Sequence, residues 1–292
     1  MSAQVTPNKT ETVMSLRDVH LHYPGQRSLW NQTRKEVLRG IDLEIRSGET
    51  LGIIGRNGAG KSSLLKIIAG VMPPDSGELI HHRHDLNVSL LTLALGFQTN
   101  LTGRENATLG CLLTGLSRRE TDKLLPEILD FSGLGDSADA LLSSYSSGMR
   151  ARLGFSVAYF TQADMVLIDE VLGVGDHEFK LKSRDAIYSA IHSDRTVIVV
   201  SHDENMLADL CDSLLWIEGG RSIMQGPVTQ VLETYHDYDH LVNDLSARLG
   251  ITTEEFRQHP DNADPVALLN RLRTNLKKQR AALIENSQAG KD

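Results

Sequence analysis

The stretch TLGIIGRNGAGKSS, residues 50–63, constrains this chain more than any other. A short apolar run meets a glycine-rich loop, and a helical pattern then opens at Lys61 and carries Leu64, Leu65, Ile67 and Ile68. Gly55, Gly60, Lys61 and Ser62 fit the P-loop spacing, in the order of strand, loop and helix that the spacing requires. Glycines let backbone N–H groups curl around phosphate oxygens. Lys61 is then placed to reach β- and γ-phosphates and Ser62 to ligate Mg²⁺. Asn57, Gly58, Ala59 and Ser63 complete the candidate nucleotide-binding set. The alternative, a chance glycine-rich turn, does not account for the buried strand before it and the amphipathic helix after it. The expected fold class is α/β, built on a P-loop NTPase core.

Downstream, DMVLIDE at residues 164–170 puts four apolar residues before two carboxylates. That pattern suits a buried parallel strand delivering acids to its carboxyl end. Asp169 is expected to hold Mg²⁺ through water, and Glu170 to orient or deprotonate an attacking water. Alone, such a pair reads equally well as an exposed loop. A P-loop upstream favours the catalytic reading. A further strand, TVIVVSH, runs to His202, whose imidazole can reach a γ-phosphate; a lone strand-end histidine otherwise reads as structural.

Composition excludes several classes. The net charge of -8 over 292 residues argues against a nucleic-acid-coating protein, and no nucleic-acid partner is expected. No apolar run approaches the roughly 20 residues of a membrane-spanning helix, and the start, MSAQVTPNKTETVMS, is too polar for a secretory signal. Cys111 and Cys211 are expected to stay reduced in cytosol.

A second phosphate-binding pattern stands at residues 145–158, YSSGMRARLGFSVA. Small polar residues and a glycine open a helix that carries Met149, Leu153, Val157 and Phe160 along one side. Free N–H groups and the macrodipole at such a terminus favour an anion.

YSSGM, the LIDE strand end and the later His-ended strand together resemble the ATP-binding-cassette ATPases. The usual Leu-Ser-Gly-Gly-Gln signature stands here as Tyr145, Ser146, Ser147, Gly148 and Met149. The resemblance implies a head-to-tail homodimer in which Ser146, Ser147 and Gly148 of one copy cap the γ-phosphate held by the other's P-loop. The second phosphate site therefore belongs to the partner's ATP. Ser146 and Gly148 keep the phosphate-facing positions; Met149 cannot hydrogen-bond as glutamine does. It further implies an antiparallel β subdomain and a helical signature subdomain, with ATP and Mg²⁺ as cofactors. Tyr23 stands where an aromatic stacks on adenine, or is an ordinary strand-end tyrosine. Gln98 lies near the glutamine that senses Mg²⁺ and water, so that Ser62, Gln98 and Asp169 form the implied metal set. Asp176 matches an aspartate that crosses the dimer interface.

GIIGRNGAGKSSLLKIIAG, LTGREN at residues 101–106, YSSGM and IDEVLGVGD at residues 168–176 are similar, as a set, to ATPases that export O-antigen, capsule or teichoic acid. That likeness spans about residues 14–235. It implies an integral-membrane ABC-2-type permease as partner, a lipid-linked polysaccharide as cargo, and a peripheral place on the cytoplasmic face of the cell membrane. Drug or lipid export and a soluble cassette function are the competing readings. In this subfamily an extra helix is implied within GQRSLWNQTRKE, residues 25–36, facing the membrane partner, with Trp30 as its anchor or as a core residue.

The expected organisation is a polar tail at residues 1–13, a cassette at 14–235 with its helical part at about 97–160, and a helical extension at 236–292. HHRH, residues 81–84, comes without a carboxylate or cysteine cluster, so a solvated turn is expected rather than a metal site. In the extension, Thr252 with Glu255 reads as a capping box, and Asp264 before Pro265 as an N-cap with a favoured first helical residue. Leu269, Leu272, Leu276 and Leu283 follow along one face. Their partner is either the core of the same subunit or the same helix in a second copy. The expectation is that this tail helps hold two cassettes together and binds no sugar.

Overall fold

The structure, a computed structural model, describes residues 11–28, 31–91, 96–161, 163–169, 177–191, 193–259, 264–271 and 274. An antiparallel hairpin comes first, β1 (Thr12–Ser28) and β2 (Asn31–Arg46). The chain then runs through β3 (Thr50–Ile54) and the glycine loop into α1 (Lys61–Ile68), returning as β4 (Ser76–His81) to pair with β1. After β5 (Val88–Leu90) come α2 (Gly103–Leu113), α3 (Arg118–Ser132) and α4 (Ser147–Phe160). The sheet resumes with β6 (Met165–Asp169), α5 (His177–Ile191), β7 (Thr196–Val200), α6 (Glu204–Leu210), β8 (Ser213–Glu218) and β9 (Arg221–Pro227). α7 (Val228–Leu249) and α8 (Thr253–Gln258) follow. The strands form a three-stranded sheet, β2-β1-β4, and a six-stranded sheet, β5-β6-β7-β3-β8-β9, parallel except for β9.

The strands β3, β6, β7 and β8 are buried on both faces, which explains why they read as near-continuous apolar runs. Alternation sorts them. Leu51, Ile53, Ile198, Val200, Leu215 and Ile217 face α1 and the inner side of the β1-β2 hairpin. Ile54, Val197, Val199, Leu214 and Trp216 face the opposite way, onto Phe155, Tyr238, Val242, Phe256 and Leu269. The helical region has a separate core of Ala107, Cys111, Ile128, Leu142, Tyr145, Leu153 and Val157. Met149 and Phe160 pack against it, as their helical spacing requires. Both cysteines are free; burial pushes the Cys111 thiol up to about 11 and that of Cys211 to about 12, leaving both protonated and unreactive at neutral pH.

Among the described residues of 25–36 the implied helix is not found. Both arms of the hairpin continue as strands, with Tyr23 opposite Lys35, Arg27 opposite Gln32 and Ser28 opposite Asn31. The segment has one aromatic and no apolar stripe at helical spacing, so the ladder to its neighbour satisfies the backbone instead. Trp30 lies outside the described residues. The expected break at residue 236 falls inside α7, whose Val231, Tyr238 and Val242 are buried in one core cluster. Both caps of the extension are present: Thr252 and Glu255 form a reciprocal box, and Asp264 Oδ1 accepts from the Ala267 amide at 2.9 Å. Leu269 is buried against its own cassette; Leu272, Leu276 and Leu283 lie outside the described residues. In the histidine run, His82 Nε2 shares a hydrogen bond with Ser15 Oγ at 2.8 Å, and Arg83 pairs with Asp85 and Asp164. No helix among the described residues is long and apolar enough to cross a membrane.

A pH dependence arises in the hairpin. His20 Nδ1 lies 2.9 Å from Glu36 Oε1 and its Nε2 lies 3.1 Å from Asp18 Oδ1. Only the protonated ring donates to both. The hydrogen bond to Glu36 raises the His20 pKa above 6.5, against a smaller lowering by burial, and the same bond holds Glu36 below 4.5. A raised folded value means stability that is complete below the ordinary histidine pKa and lost as pH rises through the folded one. For Glu36 the contribution is complete above its ordinary value and lost as pH falls through the depressed one. The stability difference between wild type and His20→Asn, followed by denaturant titration, is therefore expected to peak at about pH 5–6 and to shrink by about pH 8. A difference that grows toward pH 8 would refute the assignment.

Candidate functional site

The glycine loop leaves the carboxyl end of the central strand β3. Gly55 has φ 151°, and a Cβ there would stand 2.2 Å from the Ile217 carbonyl oxygen, so no other residue fits beside β8. At the start of α1, Lys61 is only 6% exposed. Its Nζ donates to the Gly55 carbonyl at 2.6 Å and to the Arg56 carbonyl at 3.0 Å. An ammonium seated against loop carbonyls at a helix N-terminus is matched to an anion entering the loop. Ser62 is exposed beside it, while Ser63 is buried and its Oγ lies 3.3 Å from the Tyr23 hydroxyl. Tyr23 also reaches Met72 Sδ at 3.6 Å and packs on the edge of the first core.

Strand register brings the other candidates to the same edge. Asp169 ends β6 opposite Val200 of β7, and Val200 lies opposite Ile53 of β3, so the acid stands level with the mouth of the loop. In open parallel sheets that edge is where ligands bind. β7 ends at Val200, earlier than the sequence reading, and His202 stands two residues beyond it. Ile54, Gly55, Arg56, Asn57, Ser201 and His202 share a cavity of about 310 Å³. The neighbouring strand ends and loop thus offer a cation, hydroxyls and a carboxylate, a donor set suited to a phosphate chain with a bound Mg²⁺. Glu170 and Asp176 lie outside the described residues.

Ser146, Ser147 and Gly148 stand at the other subdomain, and none of them lines this cavity. Ser146 is the N-cap of α4, its Oγ accepting from the Met149 amide at 3.1 Å, and both serines are exposed. Tyr145 differs from the usual leucine for a visible reason. It is buried, its hydroxyl donates to the Ser137 carbonyl at 2.6 Å, and a Cβ at Gly103 would lie 2.0 Å from that hydroxyl. Tyr145 and the glycine of LTGREN therefore fit each other.

Two roles in LTGREN escaped the sequence reading. Thr102 and Glu105 form a reciprocal capping box on α2, legible as T-x-x-E before the helix. Asn106, fully buried, accepts from the Gln98 amide at 2.7 Å and donates to the Gln98 carbonyl at 3.0 Å. It fixes the backbone of Gln98 and leaves the Gln98 side chain exposed, with Nε2 donating to the Gly96 carbonyl at 3.3 Å. A buried side-chain amide clamping a loop gives no sequence signal beyond the asparagine itself.

The ABC transporter family profile matches residues 38–173. The chain is 38% identical over 250 residues to the ABC transporter protein AbcA of Aeromonas salmonicida, an alignment covering 82% of this chain and 80% of that one. The chain belongs to the ABC transporter family. It is an ATP-hydrolysing cassette of that family. A teichoic acids export ATP-binding protein, TagH of Staphylococcus epidermidis, is 36% identical over 78% of this chain and 84% of its own length. The O-antigen export system ATP-binding protein RfbB of Myxococcus xanthus is 38% identical over 76% of this chain. The chain spans about half of several relatives, 51% of RfbB and 46% of the Enterococcus faecalis TagH. A solved ATP-binding subunit of an ABC transporter has the same fold, with TM-score 0.63 at 21% identity over 77% of this chain and 94% of that chain.

Proposed function

We propose that the cassette is the ATPase subunit that powers export of a lipid-linked surface polysaccharide through a separate ABC-2-type membrane permease. It works as a head-to-tail homodimer on the cytoplasmic face of the membrane. Support for the cargo comes from relatives named for teichoic-acid and O-antigen export that align over most of this chain.

One observation carries the mechanism: the loop that seats Lys61 runs from β3 into α1 against the core of the sheet, whereas the helix terminus at residues 146–148 opens α4 in the helical region, which has its own core. A second copy supplies what one copy leaves open. Tyr23 stacks on the adenine, and Asn57, Gly58, Ala59, Gly60 and Ser63 shape the phosphate cradle. Lys61 holds the β- and γ-phosphates, and Ser146, Ser147 and Gly148 of the partner copy donate to the γ-phosphate. Ser62, Gln98 and, through water, Asp169 hold Mg²⁺, which supplies neutralisation of the charge that develops on the phosphates. Glu170 orients the attacking water, His202 steadies the γ-phosphate, and Asp176 crosses to the partner. ATP closes the pair, closure moves the permease, and product release resets both.

The test is made in the cell of origin. Deleting the gene should strip glycan from the surface, and the tagged wild-type chain should restore it and co-purify with an integral-membrane protein in detergent. Recovery of the chain without any membrane partner, with surface glycan unchanged by the deletion, would end this reading.

A further inference from the structure

The C-terminal extension reaches the cavity beside the glycine loop. Its helix α8 starts at the Thr252–Glu255 capping box, and that fixed start projects Glu254 toward the glycine loop. Glu254 Oε2 stands 3.7 Å from Arg56 Nη1, and both residues line the cavity at the mouth of the loop. The helix is not loosely laid there. Arg257, one turn on and with its side chain 6% exposed, donates to Glu218 Oε1 at 2.7 Å, pairs with Asp239, and places its guanidinium 4.8 Å from the centre of the Tyr238 ring. Glu218 ends β8, directly after the Ile217 carbonyl that abuts Gly55. Phe256 is buried in the same core as Trp216 and Tyr238. Glu204 of α6, which also lines the cavity, is bonded by His236 of α7 at 2.5 Å.

A buried ion pair and a core aromatic thus hold an acidic side chain beside a site built for a strongly anionic ligand. We infer that Glu254 opposes nucleotide binding by engaging Arg56, so that the extension sets the affinity of the P-loop for ATP and yields Arg56 to the phosphates when nucleotide enters. This rests on nucleotide binding at the P-loop as proposed above. Linkage makes the effect reciprocal: whatever loosens α8 tightens nucleotide binding, and bound nucleotide weakens the hold of α8 on the loop. The Arg56–Glu254 pair is partly exposed, its side chains 42% and 66% accessible, which makes the effect one of tuning and not of blockade.

The experiment measures the affinity of the full-length chain for MgADP and for a non-hydrolysable MgATP analogue by calorimetry at low salt. Glu254→Gln is expected to tighten binding by about 2–5-fold with an unchanged melting temperature. The gain should shrink in high salt, as expected for a partly exposed charge. In an Arg56→Gln background the same substitution should change nothing, because the partner it releases is gone. Unchanged affinity in Glu254→Gln, or an equal gain in both backgrounds, would overturn the inference while leaving the nucleotide site standing. Absence of nucleotide binding by the wild-type chain would overturn the site and the inference together.

Discussion

Lys61→Ala is expected to weaken binding of MgATP by about 10- to 100-fold and to cut turnover at saturating nucleotide by about 10²–10³-fold. Its ammonium is buried, donates to the Gly55 and Arg56 carbonyls, and in the proposed site meets the phosphates. Charge-assisted contacts in a shielded site are stronger than neutral ones, and each contributes about 1.5–3 kcal/mol. Alanine leaves those carbonyls facing an incoming anion with no cation between. The fold should survive, because the neighbouring Leu64, Leu65, Ile67 and Ile68 carry the packing of α1. Nucleotide titration and phosphate release on the purified variant read both numbers. Retention of wild-type affinity would mean that this lysine does not face the phosphate chain.

Ser146→Arg is expected to leave nucleotide affinity of the isolated chain intact and to abolish ATP-dependent dimerisation, with hydrolysis falling by about 10²-fold or more through loss of γ-phosphate donors. Ser146 is exposed at the N-cap of α4, in the helical region. Arginine puts a long side chain where the partner's phosphate must approach. Loss of the cap costs roughly 1 kcal/mol of helix stability, too little to unfold the subdomain. Light scattering with and without ATP separates association from binding. Weakened nucleotide affinity in the monomer would place Ser146 at its own P-loop and refute the head-to-tail arrangement.

Much of this was written locally in the chain. The P-loop, the Asp169 strand end and the caps at Thr252 and Asp264 depend on residues within a few positions of one another, and there the sequence reading and the structure agree. Long-range geometry was less legible. The hairpin arms at residues 25–28 and 31–36 pair across strands, and nothing in GQRSLWNQTRKE marks the partner of each residue. Tyr145 reads as a departure from the family pattern until Gly103, far away in sequence, is seen to make room for its hydroxyl. The end of the cassette, read at residue 235, is hidden in a helix whose Val231 and Tyr238 face the same core on either side of that point. The Arg56–Glu254 and Glu218–Arg257 pairs join segments far apart in sequence, and neither partner carries a local signal of the other.

The central claim is that two copies build each ATP site between them, one giving Lys61 and the other Ser146. Mixing the two inactive variants tests it most directly. In a mixed dimer of Lys61→Ala with Ser146→Arg, one site carries both lesions and the other carries neither. Each mixed dimer keeps one intact site across which ATP can join the two copies, which Ser146→Arg alone lacks, so ATPase activity should return to well above that of either variant. If the mixture stays as inactive as either variant alone, the loop and the helix terminus serve the same chain's site, and the account is wrong.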